Sequence, residues 1–416
     1  MTRIRTRLLT RSMLVGVVAL ALVATGFSAA APAAGRSSIP APPGLPAFYS
    51  VPLPIPAFAG TLIKSEPVTV SGLHGTMYRV MYASRTVYNV PIAVTGVIAV
   101  PNGTPPTGGF PVVSWGHGTN GMADVCAPSL NPGSDVPLAN DLLDQGWVVT
   151  ASDYQGEGTP GLMPYLAGVS AARNTIDIVK TARQMPAVHA SARYVVWGHS
   201  EGGQTAMFAL KIGASYAPGL QLEGVVAGAP PSQFGVIYNA LKDSPFRYYL
   251  LMAAGGLNAA YGNANTPLAQ ILTPLGLQQI PKLDLGCSGY LAQQFGTVTT
   301  ASLLKADPFT VPAWRTAMMA NDPGRFTTAS AAPLLIIQGA HDEQIPVIST
   351  GLLANQLCSV GQVLQRWVYP GQSHSGVIGP SSGDMIQWIT DRFAGGVNPD
   401  PYLPTGLPGV AVKVCP

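Results

Sequence analysis

The chain has 416 residues, 47% of them hydrophobic, enough for a substantial core in one large domain or two small ones. Only 10% are charged, and part of the formal net charge of +3 lies in the first eleven residues, which excludes a basic nucleic-acid-binding surface. Glycine and proline, 47 and 39 residues, stay below the share that marks a low-complexity chain and predict many tight loops.

At the N-terminus Arg3, Arg5, Arg7 and Arg11 precede an apolar run from Met13 to Phe27, and the small residues Ala31-Pro32-Ala33 follow. This is the layout of an export signal, expected over residues 1–33, and the apolar run is shorter than the roughly 20 residues that span a bilayer. Cys126, Cys287, Cys358 and Cys415 form no CxxC pair, so metal and thioredoxin-like roles are poor fits. Two disulfides in an oxidising compartment, extracellular or in the cell envelope, agree with export. Sequence alone leaves three pairings open.

Residues 34–60 carry Pro40, Pro42, Pro43, Pro46, Pro52, Pro54 and Pro56 and are expected to form an extended arm over the domain surface. Thr76 to Ser84 and Ile92 to Val100 predict a hairpin at one sheet edge, and Gly109 to Trp115 a third strand running into the glycine-rich loop Gly116 to Gly121. A helix over Pro137 to Gln145 precedes a strand over Trp147 to Ser152 that ends in the loop Asp153 to Gly158. Val169, Ala172, Ile176, Val179 and Arg183 follow helical spacing. Arg193 to Trp197 predicts a buried strand, Gln204 to Ile212 a helix, and Leu222 to Ala227 another strand. The alternation stops at Ser232 and resumes at Ala332, and the hundred residues between, short helical stretches with much apolar surface, are expected to be an inserted cap. Pro333 to Gln338 is a strand leading to Gly339-Ala340-His341-Asp342-Glu343. A helix near Val347 to Leu357, a strand over Val363 to Tyr369 and a last amphipathic helix over Gly383 to Phe393 complete the core, and the Pro-rich tail is expected to be held by Cys415. Strands alternating with helices imply right-handed crossovers and a mostly parallel sheet.

The chemistry centres on Gly198-His199-Ser200-Glu201-Gly202. This short G-x-S-x-G pattern gains its weight from the strand before it and the helix after it, the setting of a nucleophile elbow that lifts Ser200 above the sheet. A serine hydroxyl needs a base within hydrogen-bond reach, and the base needs a third group to fix its tautomer. On such folds the chain order is Ser, acid, His, each in a loop after a strand. Asp342 and His374 satisfy that order. His74 and His189 sit in polar turns, His199 lies inside the elbow, and His117 and His341 break the order. Glu343 adjoins the acid, Asp384 falls past the histidine, and Asp153, also at a strand end, suits turn bonding. The oxyanion formed on attack needs two backbone N–H donors: one from Glu201, the other from Gly118-Thr119-Asn120.

Phe48-Tyr49, Gly60 to Ser65, Cys126-Ala127-Pro128-Ser129, the elbow, Asp342 with Ile345-Pro346, and His374 together resemble the secretory lipase family, α/β-hydrolases typified by yeast lipase A. The similarity runs from about residue 45 to the C-terminus. It implies ester hydrolysis on acyl chains, a cap before the acid strand, and disulfides Cys126–Cys287 and Cys358–Cys415. It also puts the second oxyanion position on Asn120, where yeast lipase A has an acid.

The expected architecture is therefore an α/β-hydrolase: an export signal at 1–33, a Pro-rich arm at 34–60, a core at 61–231 and 331–416, and a cap at 232–330. The expected activity is that of a secreted serine carboxylic ester hydrolase forming an acyl-enzyme on Ser200, with Asp342 and His374 completing the triad and Glu201 and Asn120 the oxyanion site. No metal or organic cofactor is required. The expected partners are a small-molecule or lipid ester and, transiently, a lipid interface touched by the cap; an acyltransferase with the same triad and a catalytically silent lipid-binding protein are the alternatives. Tyr248 to Ala254 and Pro267 to Leu277, Leu251 and Ile271 among them, are expected to line an acyl tunnel, because large exposed apolar patches are rare.

Overall fold

The computed structural model describes residues 37–133, 136–396 and 402–416. The expected export signal at 1–33 lies outside the described residues. In chain order the arm contributes β1 (Ser38–Ile39) and β2 (Val51–Pro52), paired antiparallel. β3 (Leu62–Val68), β4 (Gly75–Arg85) and β5 (Pro91–Pro101) follow, then β6 (Phe110–Gly116), α1 (Ala139–Asp144), β7 (Val148–Ser152) and α2 (Gly168–Gln184). Next come β8 (Ala190–His199), α3 (Glu201–Tyr216) and β9 (Gln221–Gly228). Seven α-helices separate β9 from the next strand: α4 (Phe234–Leu241), α5 (Tyr248–Tyr261), α6 (Leu268–Ile271), α7 (Pro274–Gln279), α8 (Ser288–Phe295), α9 (Thr300–Leu303) and α10 (Pro312–Ala320). The chain closes with β10 (Leu334–Gly339), α11 (Val347–Ser359), β11 (Leu364–Tyr369), α12 (Ile378–Phe393) and β12 (Ala411–Cys415).

Among the described residues, ten strands form one sheet in the order β12-β11-β10-β9-β8-β6-β7-β5-β4-β3. The run from β11 to β7 is parallel, while β5, β4, β3 and β12 join antiparallel at the two sides. Both faces are covered, as a parallel sheet requires. Successive strand residues point to opposite faces. Val112, Val196, Val225 and Ile336 thus join one core with Ile176 of α2, Phe208 of α3 and Leu353 of α11, while Val113, Val195, Val226 and Ile337 join another with Leu142 of α1 and Trp388 of α12. The helices between β9 and β10 have a core of their own around Leu251, Leu257, Leu291 and Trp314.

Three expectations change. The β4–β5 hairpin is not the edge, because β3 pairs outside it from Leu62 to Val68 with Pro67 in its course; an edge strand tolerates proline where a central one does not. The arm is more than a surface strap: Tyr49 is fully buried and its hydroxyl meets Ser129 Oγ at 2.7 Å. The last helix begins at Ile378, five residues before Gly383, because Pro380 sits in its first turn, where its missing N–H costs no helical bond. The tail is held as expected by Cys358–Cys415 and also forms β12 along β11, while Cys126–Cys287 ties the loop after β6 to the start of α8.

Candidate active site

The carboxyl ends of β6, β8, β10 and β11 converge on one region, the usual place for a ligand on an open parallel sheet. Ser200 stands between β8 and α3 with φ 59° and ψ −122°, a backbone strain typical of functional turns. Its backbone N–H donates to Gly228 O at 2.8 Å. The flanking glycines are obligatory: a Cβ on Gly202 would lie 1.8 Å from Gly116 O, and one on Gly198 would lie 2.1 Å from Gly202 O.

Asp342 and His374 meet. His374 Nδ1 donates to Asp342 Oδ2 at 2.8 Å, which leaves Nε2 as the basic nitrogen. The carboxylate is fixed on every side: Oδ2 also accepts from Gln338 Nε2 at 2.6 Å, and Oδ1 accepts the backbone N–H groups of Gln344 at 2.9 Å and Ile345 at 2.8 Å. Glu343 serves the histidine differently, its Oε2 accepting from the His374 backbone N–H at 3.0 Å. The His199 ring lies 4.7 Å from that of His374; burial, with the neighbouring His374, pushes its pKa down to about 3 and keeps it neutral.

Ser200 sits where two cavities meet. One is polar and lined by Gly118, Thr119, Asn120, His199, His374 and Ser375. The other is apolar, with Leu166, Phe234, Ile237, Leu241, Leu250 and Met318 in its wall. Leu250 faces this space, whereas Leu251, one residue and about 100° further round α5, is fully buried in the insertion's core. Leu251 is therefore not a tunnel residue. Ile271 lines a smaller apolar space that shares Tyr238, Leu250, Ala253 and Met318 with the first.

Asp153 is buried and occupied as a turn-bonding residue, accepting from Thr95 Oγ1 at 2.6 Å and from the Ser129 N–H at 2.8 Å. Sequence reasoning missed the partner of His117: its Nε2 lies 3.1 Å from Glu157 Oε2, and Nδ1 lies 2.7 Å from Gly118 O. Burial alone would lower the His117 pKa, but the Glu157 carboxylate holds it up at about 10, so the ring is an imidazolium. Glu157 lies in the loop after β7, and no local spacing announces its contact with the loop after β6.

A mostly parallel sheet with covering helices, and a strained serine turn beside a histidine–carboxylate pair, define an α/β-hydrolase. The chain belongs to the secretory lipase family, whose model matches residues 126–400. It is 23% identical over 366 residues to lipase A of Arthroderma benhamiae, covering 82% of this chain and 74% of that one. It is 22% identical over 358 residues to a Mycobacterium tuberculosis protein named as a probable inactive lipase, covering 82% and 79%. Among solved structures, lipase A of Candida antarctica in its closed state superposes with a TM-score of 0.71 at 18% identity, covering 85% of this chain and 86% of that one. The rice cell wall degrading esterase LipA of Xanthomonas oryzae gives 0.66 at 18% identity, covering 81% and 96%.

Proposed function

We propose that the protein is a secreted serine ester hydrolase of the lipase and esterase type, acting on acylglycerols or other lipid esters through an acyl-enzyme on Ser200. The observation that carries this reading is the oriented pair His374–Asp342 beside a strained serine that borders both a polar and an apolar space. His374 Nε2 takes the Ser200 proton as the hydroxyl attacks the ester carbonyl carbon, and Asp342 holds the tautomer and stabilises the imidazolium that forms. The backbone N–H of Glu201, with a second from the loop at Asn120, receives the oxyanion. His374 then returns its proton to the leaving alkoxide, and a water activated by the same nitrogen releases the acid. The acyl chain occupies the apolar cavity. In this reading residues 34–60 are an arm, 61–231 and 331–416 the hydrolase core, and 232–330 the cap, while residues 1–33 direct export, in keeping with the two disulfides.

A fluorophosphonate probe tests the central claim. Covalent labelling of the folded protein, lost in Ser200→Ala, is the expected result; a folded chain that stays unlabelled would instead be a silent lipid-binding protein, a reading that the name of the M. tuberculosis relative keeps in view. Product analysis with an added alcohol acceptor distinguishes hydrolysis from acyl transfer.

The cavity wall supplies a second expectation. Leu250→Trp fills the apolar space, so the ratio of octanoate to acetate ester hydrolysis should fall by about tenfold, since each methylene in such a pocket contributes roughly 1 to 3 kcal/mol. Leu251→Val, inside the insertion's core, should leave that ratio near its original value. An acyl-length series in both variants measures it, and an unchanged profile in Leu250→Trp would place the acyl group elsewhere.

A further inference from the structure

Behind the oxyanion loop lies a cluster of ionisable groups that the hydrolytic mechanism leaves unused. His117, Glu157 and Glu201 are 3%, 0% and 2% exposed. They come from three places: the end of β6, the loop after β7, and the first position of α3, directly after Ser200. The Thr119 hydroxyl, whose Oγ1 lies 3.1 Å from Tyr165 OH, also acts on the Glu201 carboxyl, and Glu201 Oε2 meets no hydrogen-bond partner among the described residues. The loop carrying Thr119 is thereby tied at several points. His117 is stacked on Tyr154 at 4.1 Å and bonded to Gly118 O and Glu157, and Asn120 O accepts the backbone N–H of Ser288 at 2.7 Å. Gly118 itself lies against the elbow, since a Cβ there would sit 3.8 Å from Ser200 Cβ.

The count of charges in this cluster decides its state. Asp153 also faces His117 but has its own partners in Thr95 and Ser129. Of the groups left, two carboxylates and one imidazolium, all out of water, sum to zero only if one carboxyl keeps its proton, and an uncompensated buried charge is costly. Glu157 has the ion-pair contact with His117, so the proton belongs to Glu201. We propose that the side chain of Glu201 is a positioning residue for the oxyanion site: protonated, it keeps the cluster behind the Thr119 loop neutral, and its ionisation sets a negative charge beside the forming oxyanion. The proposal rests on Ser200 being the nucleophile.

Burial pushes the Glu201 pKa up to about 8, with His117 and the Thr119 hydroxyl lowering it and Glu157 raising it. The other titratable groups that feel its charge are the phenols of Tyr154, Tyr165 and Tyr249, which burial raises further above their ordinary range, so they stay neutral across the relevant pH span. Glu201 is neutral below about pH 8 and ionised above it. Activity should therefore be retained on the acid side of this transition and lost on the alkaline side. If the ionised form is inactive, one such ionisation lowers kcat by about tenfold at pH 9 relative to pH 7.

The test is a pH-stat assay of kcat on a soluble short-chain ester from pH 6 to 10, with blank hydrolysis subtracted and fold monitored by circular dichroism. The wild type should show the alkaline limb. In Glu201→Gln, which cannot ionise, the pH 9 to pH 7 ratio should rise by about tenfold, and in Glu201→Asp a limb should persist. Thr119→Val removes a hydroxyl that favours the ionised carboxylate, so its limb should move to higher pH. That variant serves equally if the glutamine variant does not fold. A wild type without an alkaline limb, or a limb unmoved in Glu201→Gln or in Thr119→Val, overturns the proposal. Fluorophosphonate labelling of Ser200 at pH 7 is read in parallel: absent labelling defeats the hydrolase reading itself, whereas labelling with an unmoved limb defeats only the role of Glu201.

Discussion

Ser200→Ala is expected to lower kcat for ester hydrolysis by a factor on the order of 10^6, with His374→Ala close to it and the double variant hardly lower than either. In the proposed mechanism the residues act as a unit. Without the hydroxyl there is no acyl-enzyme, and without the imidazole the hydroxyl keeps its proton, so removing the second partner takes away nothing that still works. What survives is the contribution of the oxyanion donors and of binding, a residual on the order of 10^3 to 10^4 over water. Structure supports clean readouts: Ser200 lines both cavities, and loss of its hydroxyl leaves the glycine contacts that build the turn untouched. The comparison needs kcat for all three variants on one ester, with unchanged thermal transitions. Near-normal turnover in either single variant would remove that residue from the mechanism.

Much of this site was legible because each of its parts is announced locally. Ser200, Asp342 and His374 each come within a few residues of the end of a largely buried strand, and a strand end with a glycine close by is a signal carried by a few adjacent residues. The two disulfides were also anticipated, from resemblance, and the helices between β9 and β10 fall where the alternation of strand and helix patterns breaks.

What escaped was long-range or degenerate. β3 carries Lys64, Ser65, Glu66 and Pro67, which look like loop until β4 is there to pair with them. β12 exists because a disulfide and an open sheet edge hold a tail that has no strong strand signal of its own. Leu250 and Leu251 are chemically the same, and only the rotation of α5 decides which one meets the cavity. Gln338 reads as the last residue of a strand, yet its amide holds the Asp342 carboxylate. The pairing of His117 with Glu157 spans two loops, and no periodicity within either one could have disclosed it.

Asp342→Asn should reduce kcat by about 10^4-fold while leaving the fold in place, and the hydrogen-bond pattern around the carboxylate says why. Oδ1 accepts two backbone N–H groups, from Gln344 and Ile345, so an asparagine must put its carbonyl oxygen there; the reverse orientation would set NH2 against two donors. Its NH2 then occupies the Oδ2 position and faces His374 Nδ1. A donor at that point forces Nδ1 to accept, which moves the ring proton to Nε2, the nitrogen that takes the proton of Ser200 in the proposed mechanism. The same NH2 also confronts the donor Nε2 of Gln338, which additionally reaches Ile345 O at 3.3 Å and so cannot turn away without losing that bond. Glu343 offers no rescue, because it holds the backbone N–H of His374 and not the ring. Two measurements check this: kcat on a short-chain ester, and the nitrogen-15 shifts of the His374 ring, which report the tautomer independently of turnover. A loss of less than about tenfold, or a ring proton still on Nδ1, would mean that another group orients the histidine and that Asp342 is only a structural acceptor.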